Sequence, residues 1–513
     1  MSSNAGGRPL VAALLSALFP GLGQIREGHR RRGWWFVWIG LAFVVPALAL
    51  LVLVFYVTGL SLALDLARPF FRNPGLLLVL LAANVAVLGF RAVAVMDAFQ
   101  IASPTRGVPG RGGLGKATNL AALAVILAAT ALPHVWIGHR NLVLYDLLTH
   151  DFTADPGQAS TTTLPAPTTT TGTTQPGATT LPTTTTTVAT TTTTTEPDPF
   201  AGEDRVNVLL MGSDAGIGRV GVRTDTMIIV SVDPETGWTA MFQVPRNFIK
   251  LPIPEGHPAQ PLWADGAWGD PGNLAWGIYA YGQKYPDLFS GPNTGGDAAK
   301  VILGNLVGLE IDYFAMVDLQ GFADMIDALG GVEITVTRRI YDSSYPQVDG
   351  TSVEIEFLPG TYHMDGREAL AFARSRQQSD DFDRMGRQRC VLEALARQAD
   401  PVSLLRELPT LAPVIEQSVI TDIPMALIPD FLEVLEKVDT EQIVSMRFMP
   451  NAPEFAGTST SYVAYRIQGY NVPNVDLIRD RVAIATTLSP DEAIAALGLQ
   501  PLDSACGVAA EEE

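Results

Sequence analysis

The sequence predicts an α/β protein, a mixed sheet with helices on its faces, preceded by an α-helical multi-span membrane region. Three observations carry that reading. Apolar runs at 206–211, 226–232, 239–244, 313–317 and 332–336 have the length and flanks of buried strands, and the later ones alternate with helical periodicity at 295–306 and 321–329. The region before residue 140 holds stretches apolar enough for a bilayer, and a threonine- and proline-rich tract at 152–199 separates it from the rest. The 513 residues therefore divide into a membrane domain (1–140), a linker (141–203), a core domain (204–400) and a C-terminal part with an acidic tail (401–513).

Within the first domain, residues 34–60, 75–95 and 117–137 each reach the roughly 20 apolar residues that a bilayer crossing needs. A fourth stretch, 9–25, is shorter and broken by Pro20-Gly21-Leu22-Gly23; it reads as a segment that dips into the membrane or spans it. Cleavage as a signal peptide does not suit a segment followed by further spans. Arg26, Arg30, Arg31 and Arg32 precede the first long span, and Arg106, Arg111 and Lys116 separate the second from the third. Basic loops stay in the cytoplasm, so everything after residue 140 is expected outside the cell. The threonine-rich linker has too few apolar residues for a core and reads as a disordered tether, either glycosylated or a passive spacer.

The exported part carries most of the net charge of −19, which argues against nucleic acid as a partner. Its first three strands end in Asp214, Arg223, Asp225 and Arg246, and strand ends on a rigid sheet are where sites are built. Residues 233–237 read as the turn of a hairpin. Residues 374–389 then hold five arginines and three aspartates among sixteen positions. Arg374 and Arg376 have an extended spacing. On a helix starting near Asp381, Arg384, Arg387 and Gln388 share a face at i, i+3 and i+4. Gathered guanidinium forks suit a polyphosphate; a solvated face of Arg–Asp pairs is the plainer reading. Asp214 and Asp381 also fit as turn and helix caps.

No Walker loop, dinucleotide fingerprint or GxSxG elbow occurs, and six scattered histidines make a zinc site improbable. The two cysteines, Cys390 and Cys506, both fall in the exported part, where a disulfide between them and a pair of inert thiols are each chemically permitted.

The segments NVLLMGSD, RTDTMIIVSVDPETG, QVPRN, IDYFAMVDLQGFADMIDALGGVEITV, LPGTYHMDGREALAFARSR and DDFDRMGRQR occur in this order between about residues 206 and 395. Together they resemble the LytR-CpsA-Psr catalytic domain. The resemblance implies an α/β/α sandwich with a mixed central sheet, whose pocket holds a polyprenyl-pyrophosphate lipid. It also implies transfer of a glycopolymer phosphate from that carrier to peptidoglycan, with Mg2+ or another divalent ion such as Mn2+ assisting. By the same resemblance Asp214 and Asp225 match the metal positions. Arg223, Arg246, Arg374 and Arg376 match the catalytic arginines, and Arg384, Gln388 and Asp381 match residues around the pyrophosphate, with Arg387 as a further candidate beside them. Expected partners are the lipid-linked glycopolymer, peptidoglycan and membrane lipid, and the expected place is the cell membrane, multi-pass, with the catalytic domain outside. Hydrolysis of the prenyl pyrophosphate and a non-catalytic sensor of wall precursors are the alternatives.

Two departures stand out. The family's Pro-Arg-Asp reads Pro245-Arg246-Asn247, and the lysine usual before Tyr279-Ala280-Tyr281-Gly282 is absent from Gly272-Asn273-Leu274-Ala275-Trp276. A multi-span N-terminus is also unusual where a single anchoring span is common. The runs 314–317 and 322–329 are either pocket lining or ordinary core.

Overall fold

The computed structural model describes residues 9–56, 60–103, 113–153, 199–200, 202–214, 222–263, 274–347, 351–375, 381–398, 401–440, 442–467 and 469–499. Arg376 and Cys506 lie outside them. The described residues of the N-terminal region form helices α1 (Pro9–Leu18), α2 (Leu22–Arg26), α3 (Arg30–Tyr56), α4 (Leu60–Arg72), α5 (Gly75–Ala102) and α6 (Gly113–Thr149). Gly21 separates α1 from α2 at φ 99°, and a Cβ there would lie 2.3 Å from the Gly33 carbonyl oxygen, so the break requires glycine. Ten residues of α1 rise only about 15 Å, half a hydrocarbon core. Ala12 of α1 packs on Ala98 and Ala102 of α5.

Among the described residues, two helices are long and apolar enough to cross a membrane, Gly75–Ala102 and the Ala117–Thr149 part of α6. They pair antiparallel: Leu77 packs near Leu148, and Asn84 Nδ2 donates to the His134 carbonyl at 2.8 Å while their Oδ1 and Nδ1 atoms lie 2.7 Å apart. Polar side chains on such helices face one another because lipid offers them no partner. Helix α3 runs 27 residues over the first expected span.

Helix α6 continues past residue 141, where the linker is expected to begin. Val143, Leu144, Leu147 and Leu148 form an apolar face that extends α6 to Thr149 and packs against Leu405, Leu408 and Ala412 of the C-terminal part. The chain then donates nothing to a free tether at once: the Phe152 carbonyl accepts from Thr421 N at 3.0 Å and the Thr153 carbonyl from Asn293 Nδ2 at 2.9 Å. On the far side of the Thr/Pro tract, Phe200 packs with Val206, Val434 and Phe431.

The strands are β1 (Val206–Ser213), β2 (Thr224–Val232), β3 (Thr239–Gln243), β4 (Tyr313–Val317), β5 (Val332–Val336), β6 (Ile340–Pro346), β7 (Ser352–Phe357), β8 (Gly360–Met364), β9 (Val419–Thr421), β10 (Val444–Arg447), β11 (Val463–Ile467) and β12 (Tyr470–Pro473). The helices between and after them are α7 (Gln260–Trp263), α8 (Ile278–Lys284), α9 (Thr294–Val307), α10 (Leu319–Ala328), α11 (Gly366–Arg374), α12 (Asp381–Gln398), α13 (Pro401–Ser418), α14 (Ile428–Lys437), α15 (Val475–Thr487) and α16 (Pro490–Leu497). One six-stranded mixed sheet has the order β10-β3-β2-β1-β4-β9, in which β1–β4 and β3–β10 are parallel and the remaining pairs antiparallel. Both edge strands come from beyond residue 400, so the C-terminal part completes the core domain rather than following it. The expected hairpin joins β2 to β3, and Asp233 Oδ1 accepts from Glu235 N and Thr236 N inside its turn.

Strand period 2 sorts the side chains into two layers. Leu209, Met211, Met227, Ile229, Phe242, Phe314 and Met316 share one face and form the main core with α9, α15 and their neighbours. Leu210, Ile228 and Val230 point the other way, toward α12. Helices α10, α11 and α12 cover that second face, giving helix, sheet and helix layers. The expected strand at 332–336 is present but pairs with β8 in a separate two-stranded ribbon, whose core includes Cys390 and Val391 of α12. Cys390 is disulfide-bonded.

Candidate active site

A cavity of about 650 Å³ lies between the second sheet face and helices α10–α12. Its walls differ along its length. Leu210, Ile228, Ala315, Val317, Phe322, Met325 and Leu395 make one part apolar, while Asp214, Arg223, Asp225, Arg246, Arg374, Arg384 and Gln388 line the other. Strand period explains the division of the apolar runs. Phe314 packs in the core while Ala315 and Val317 line the cavity, and on α10 Ala323 and Ile326 turn inward while Phe322 and Met325 line it.

The polar end is built around Arg246, which follows β3. Its Nη1 donates to Asp225 Oδ1 on β2 at 2.6 Å, and its Nε to Asp381 Oδ2 on α12 at 3.3 Å. Burial alone would lower the Arg246 pKa; the Asp225 and Asp381 carboxylates outweigh it and hold the group above its ordinary value. Asp381 Oδ1 also lies 3.3 Å from Arg384 Nη1, one turn along α12, so one carboxylate orients two guanidiniums. Arg384 is only 3% exposed, which rules out a solvated Arg–Asp face. Gln388 Oε1 accepts from Gln243 Nε2 at 3.4 Å.

Arg223 stacks on the Trp276 ring at 4.8 Å from its centroid, and the Arg223 carbonyl accepts from Asp214 N at 2.9 Å. Trp276 is itself fixed by its N donating to the Arg246 carbonyl. Arg374 closes α11, and its Nη1 donates to the Tyr345 hydroxyl at 3.3 Å while the guanidinium sits over the same ring. The extended spacing expected around Arg374 is replaced by helix because Asp365 and Glu368 form a capping box that starts α11.

Seven of the expected residues therefore line one cavity, and Asp381 braces two of them from behind. Arg387 does not join them. Its Nε donates to the Phe372 carbonyl at 2.8 Å and its Nη2 to the Ser375 carbonyl, so it caps the C-terminal end of α11; a position three residues from Arg384 faces a different neighbour once α12 is packed on both sides. Arg389 is buried too, and burial together with Arg447 pulls it down to about 10. Sequence reading missed Trp276, Tyr345, Gln243 and Asp342, the last of which also lines the cavity. Asn247, in place of the usual carboxylate, accepts through Oδ1 from Asn471 Nδ2 at 3.2 Å on β12, while Arg246 takes its two carboxylates from elsewhere.

Among the described residues there is no group of three or more His, Cys, Asp or Glu side chains placed to hold a metal. Two carboxylates in one cavity, Asp214 and Asp225, nevertheless fit magnesium. That ion is commonly held by one or two carboxylates, with phosphate oxygens and water completing its shell.

The chain is similar to known proteins. A polyisoprenyl-teichoic acid–peptidoglycan teichoic acid transferase TagU of Bacillus subtilis is 29% identical over 223 residues, covering 43% of this chain and 61% of that protein. The TagU of Bacillus licheniformis is 30% identical over 222 residues, covering 43% and 60%. The chain thus spans about three fifths of the length of these relatives. The crystal structure of B. subtilis TagV is 22% identical, with a TM-score of 0.40, covering 56% of this chain and 99% of that one. The LytR_cpsA_psr family profile matches residues 173–475, more than half of the sequence, and the chain belongs to the LytR_cpsA_psr family.

Proposed function

We propose that the protein transfers a glycopolymer phosphate from a polyprenyl-pyrophosphate carrier to a peptidoglycan sugar hydroxyl, outside the cell membrane. The observation that carries this is the joining, in one cavity, of an apolar wall with a cluster of four arginines. A prenyl chain suits the first and a pyrophosphate the second. The relatives' names, which specify a polyisoprenyl donor and a peptidoglycan acceptor, support the same pairing.

In this reading the acceptor hydroxyl attacks the phosphorus nearest the glycopolymer. A new sugar O–P bond forms, the bond to the bridging oxygen breaks, and prenyl phosphate leaves and takes up the hydroxyl proton. Charge accumulates on the leaving phosphate, where Arg246, Arg384, Arg374 and Arg223 stabilise it. Each is held before substrate arrives, by carboxylates or by an aromatic face, so little reorganisation is needed in the transition state. Asp214 and Asp225 would hold magnesium, which supplies further charge neutralisation at the phosphates.

The arginine clusters at 26–32 and 106–116 support a multi-pass topology in which α3, α5 and α6 cross and the core domain lies outside. The test is the purified full chain in nanodiscs, given a prenyl-pyrophosphate-linked glycan, magnesium and peptidoglycan fragments. A phosphodiester between glycan and peptidoglycan, found by mass spectrometry, is the expected product. Prenyl phosphate with free glycan phosphate alone would instead establish hydrolysis.

A further inference from the structure

Helix α4 follows α3 in sequence but finds its partners in the exported domain. Arg68 Nη2 lies 3.3 Å from Asp430 Oδ1 and contacts Glu433 Oε2, both on α14, while its Nη1 is 3.0 Å from Asp65 on its own helix. Phe71, at i+3 from Arg68, is buried with Leu77 of α5 and Leu148 of α6, and Leu405, Leu408, Met425 and Ile428 of the exported domain pack onto that cluster. Three membrane-domain elements therefore meet the exported domain at one place: α4, the start of α5 and the end of α6. Because α5 and α6 are antiparallel, these ends belong to the same side of the membrane.

The contact falls on a particular edge of the domain. Helix α13 receives α6 and α4, and it also packs on α10. Leu319, Phe322 and Met325 of α10 wall the cavity, as does Val419, the first residue after α13. The chain leaving α6 hydrogen-bonds through the Phe152 carbonyl to Thr421 of β9, the edge strand. Arg246 follows β3, four strands away in the sheet order, which is about 20 Å at 4.8 Å per strand.

We propose that α4 and the outer ends of α5 and α6 form a dock that fixes the catalytic domain on the membrane. The apolar end of its cavity then faces the outer leaflet. A long isoprenoid chain enters from the bilayer past α10 and α13, and its headgroup reaches the arginines on the far side. The loading step rests on the proposed transferase reading; the dock does not. It also changes the role of the Thr/Pro tract, whose two flanks both sit on the exported domain.

The dock is tested without any activity measurement. The double variant R68C/E433C, full length in nanodiscs and carrying a protease site inserted in the Thr/Pro tract, is oxidised and then cleaved. Rapid cross-linking that keeps the two fragments together is expected, with at least tenfold slower cross-linking for R68C/S459C, whose second position is exposed beyond β10. Equal rates for the two pairs would overturn the dock. Loading is tested with R68E and the charge swap R68E/E433R. Transfer from a long-chain donor in vesicles is expected to fall about tenfold in R68E and to recover in the swap. Transfer from a detergent-dispersed short-chain donor stays unchanged in both. An equal loss with both donors, or no loss in R68E, would overturn the loading claim while leaving the cross-linking result to stand on its own.

Discussion

Asp381 Oδ2 and Arg246 Nε lie 3.3 Å apart, which ties the first turn of α12 to the end of a central strand. Arg246 also holds Asp225 at 2.6 Å, so a single guanidinium bridges two carboxylates from different elements. Replacing Arg246 by Lys keeps the charge and removes the fork that makes both contacts. A charge-assisted hydrogen bond is worth about 1.5–3 kcal/mol, so kcat/KM for glycopolymer transfer should fall about 10- to 100-fold. Steady-state kinetics of R246K check this, and an unchanged kcat/KM would remove Arg246 from the reaction.

Tyr345 seats Arg374 by a hydroxyl contact of 3.3 Å and by its ring. Tyr345→Phe removes the first and keeps the second. Losing one such hydrogen bond costs about 1 kcal/mol, so the expected effect is a rise in donor KM of about fivefold, against a much larger loss in Arg374→Ala. The comparison is made on donor titrations of both variants. Equal effects would mean that the ring alone does not hold Arg374.

Asp214 and Asp225 are two of the four aspartates that line the cavity, beside Asp318 and Asp342. A neutral amide is a poorer ligand for a hard cation, so D214N should shift the magnesium activation curve at least tenfold toward higher concentration, and EDTA should inhibit the wild type. A magnesium titration identical to that of the wild type would leave Asp214 with only its role at the end of β1.

Much of this site was legible in the sequence, for identifiable reasons. β1, β2, β3 and β4 are covered by helices on both faces, so they read as apolar runs with charged ends, and Asp214, Arg223, Asp225 and Arg246 stand at those ends. The edge strands β9 and β10 were not legible, because three or four residues carry no period. Arg374 seemed extended because Arg376 alternates with it, whereas the capping box of Asp365 and Glu368 decides for helix. Trp276 and Tyr345 gave no signal at all. An aromatic residue that seats a guanidinium looks like any core aromatic until the chain brings the two together.

Asp318 lines the cavity and caps α10 by accepting from Gly321 N at 2.7 Å. Burial raises its pKa above the ordinary value despite that hydrogen bond. A raised carboxyl binds its proton more tightly folded than unfolded, so ionisation destabilises the fold as pH rises through the carboxylate range, and the penalty persists at neutral pH. Asn caps helices as well as Asp. D318N should therefore have a higher Tm than the wild type at pH 7, the gain shrinking as pH falls below the carboxylate range. Melting curves across that range check the sign, and a Tm difference that grows on acidification would contradict it.

Arg384 and Arg387 are three residues apart on one helix, yet the structure gives them different tasks, and the two can be separated by experiment. Arg384 lines the cavity and pairs with Asp381. Arg387 is buried and satisfies the Phe372 and Ser375 carbonyls where α11 ends. Arg387→Ala leaves those carbonyls without their donor in the interior, at about 1–3 kcal/mol each, which corresponds to a Tm loss of several degrees or more for a domain of this size. At a temperature where it is fully folded, its donor KM should be near that of the wild type. Arg384→Ala should do the reverse, because Asp381 keeps Arg246 as a partner when Arg384 is gone, while the pyrophosphate loses a fork. Thermal melts and donor titrations on the same two preparations decide it. A KM defect in R387A at constant Tm would place Arg387 at the substrate after all.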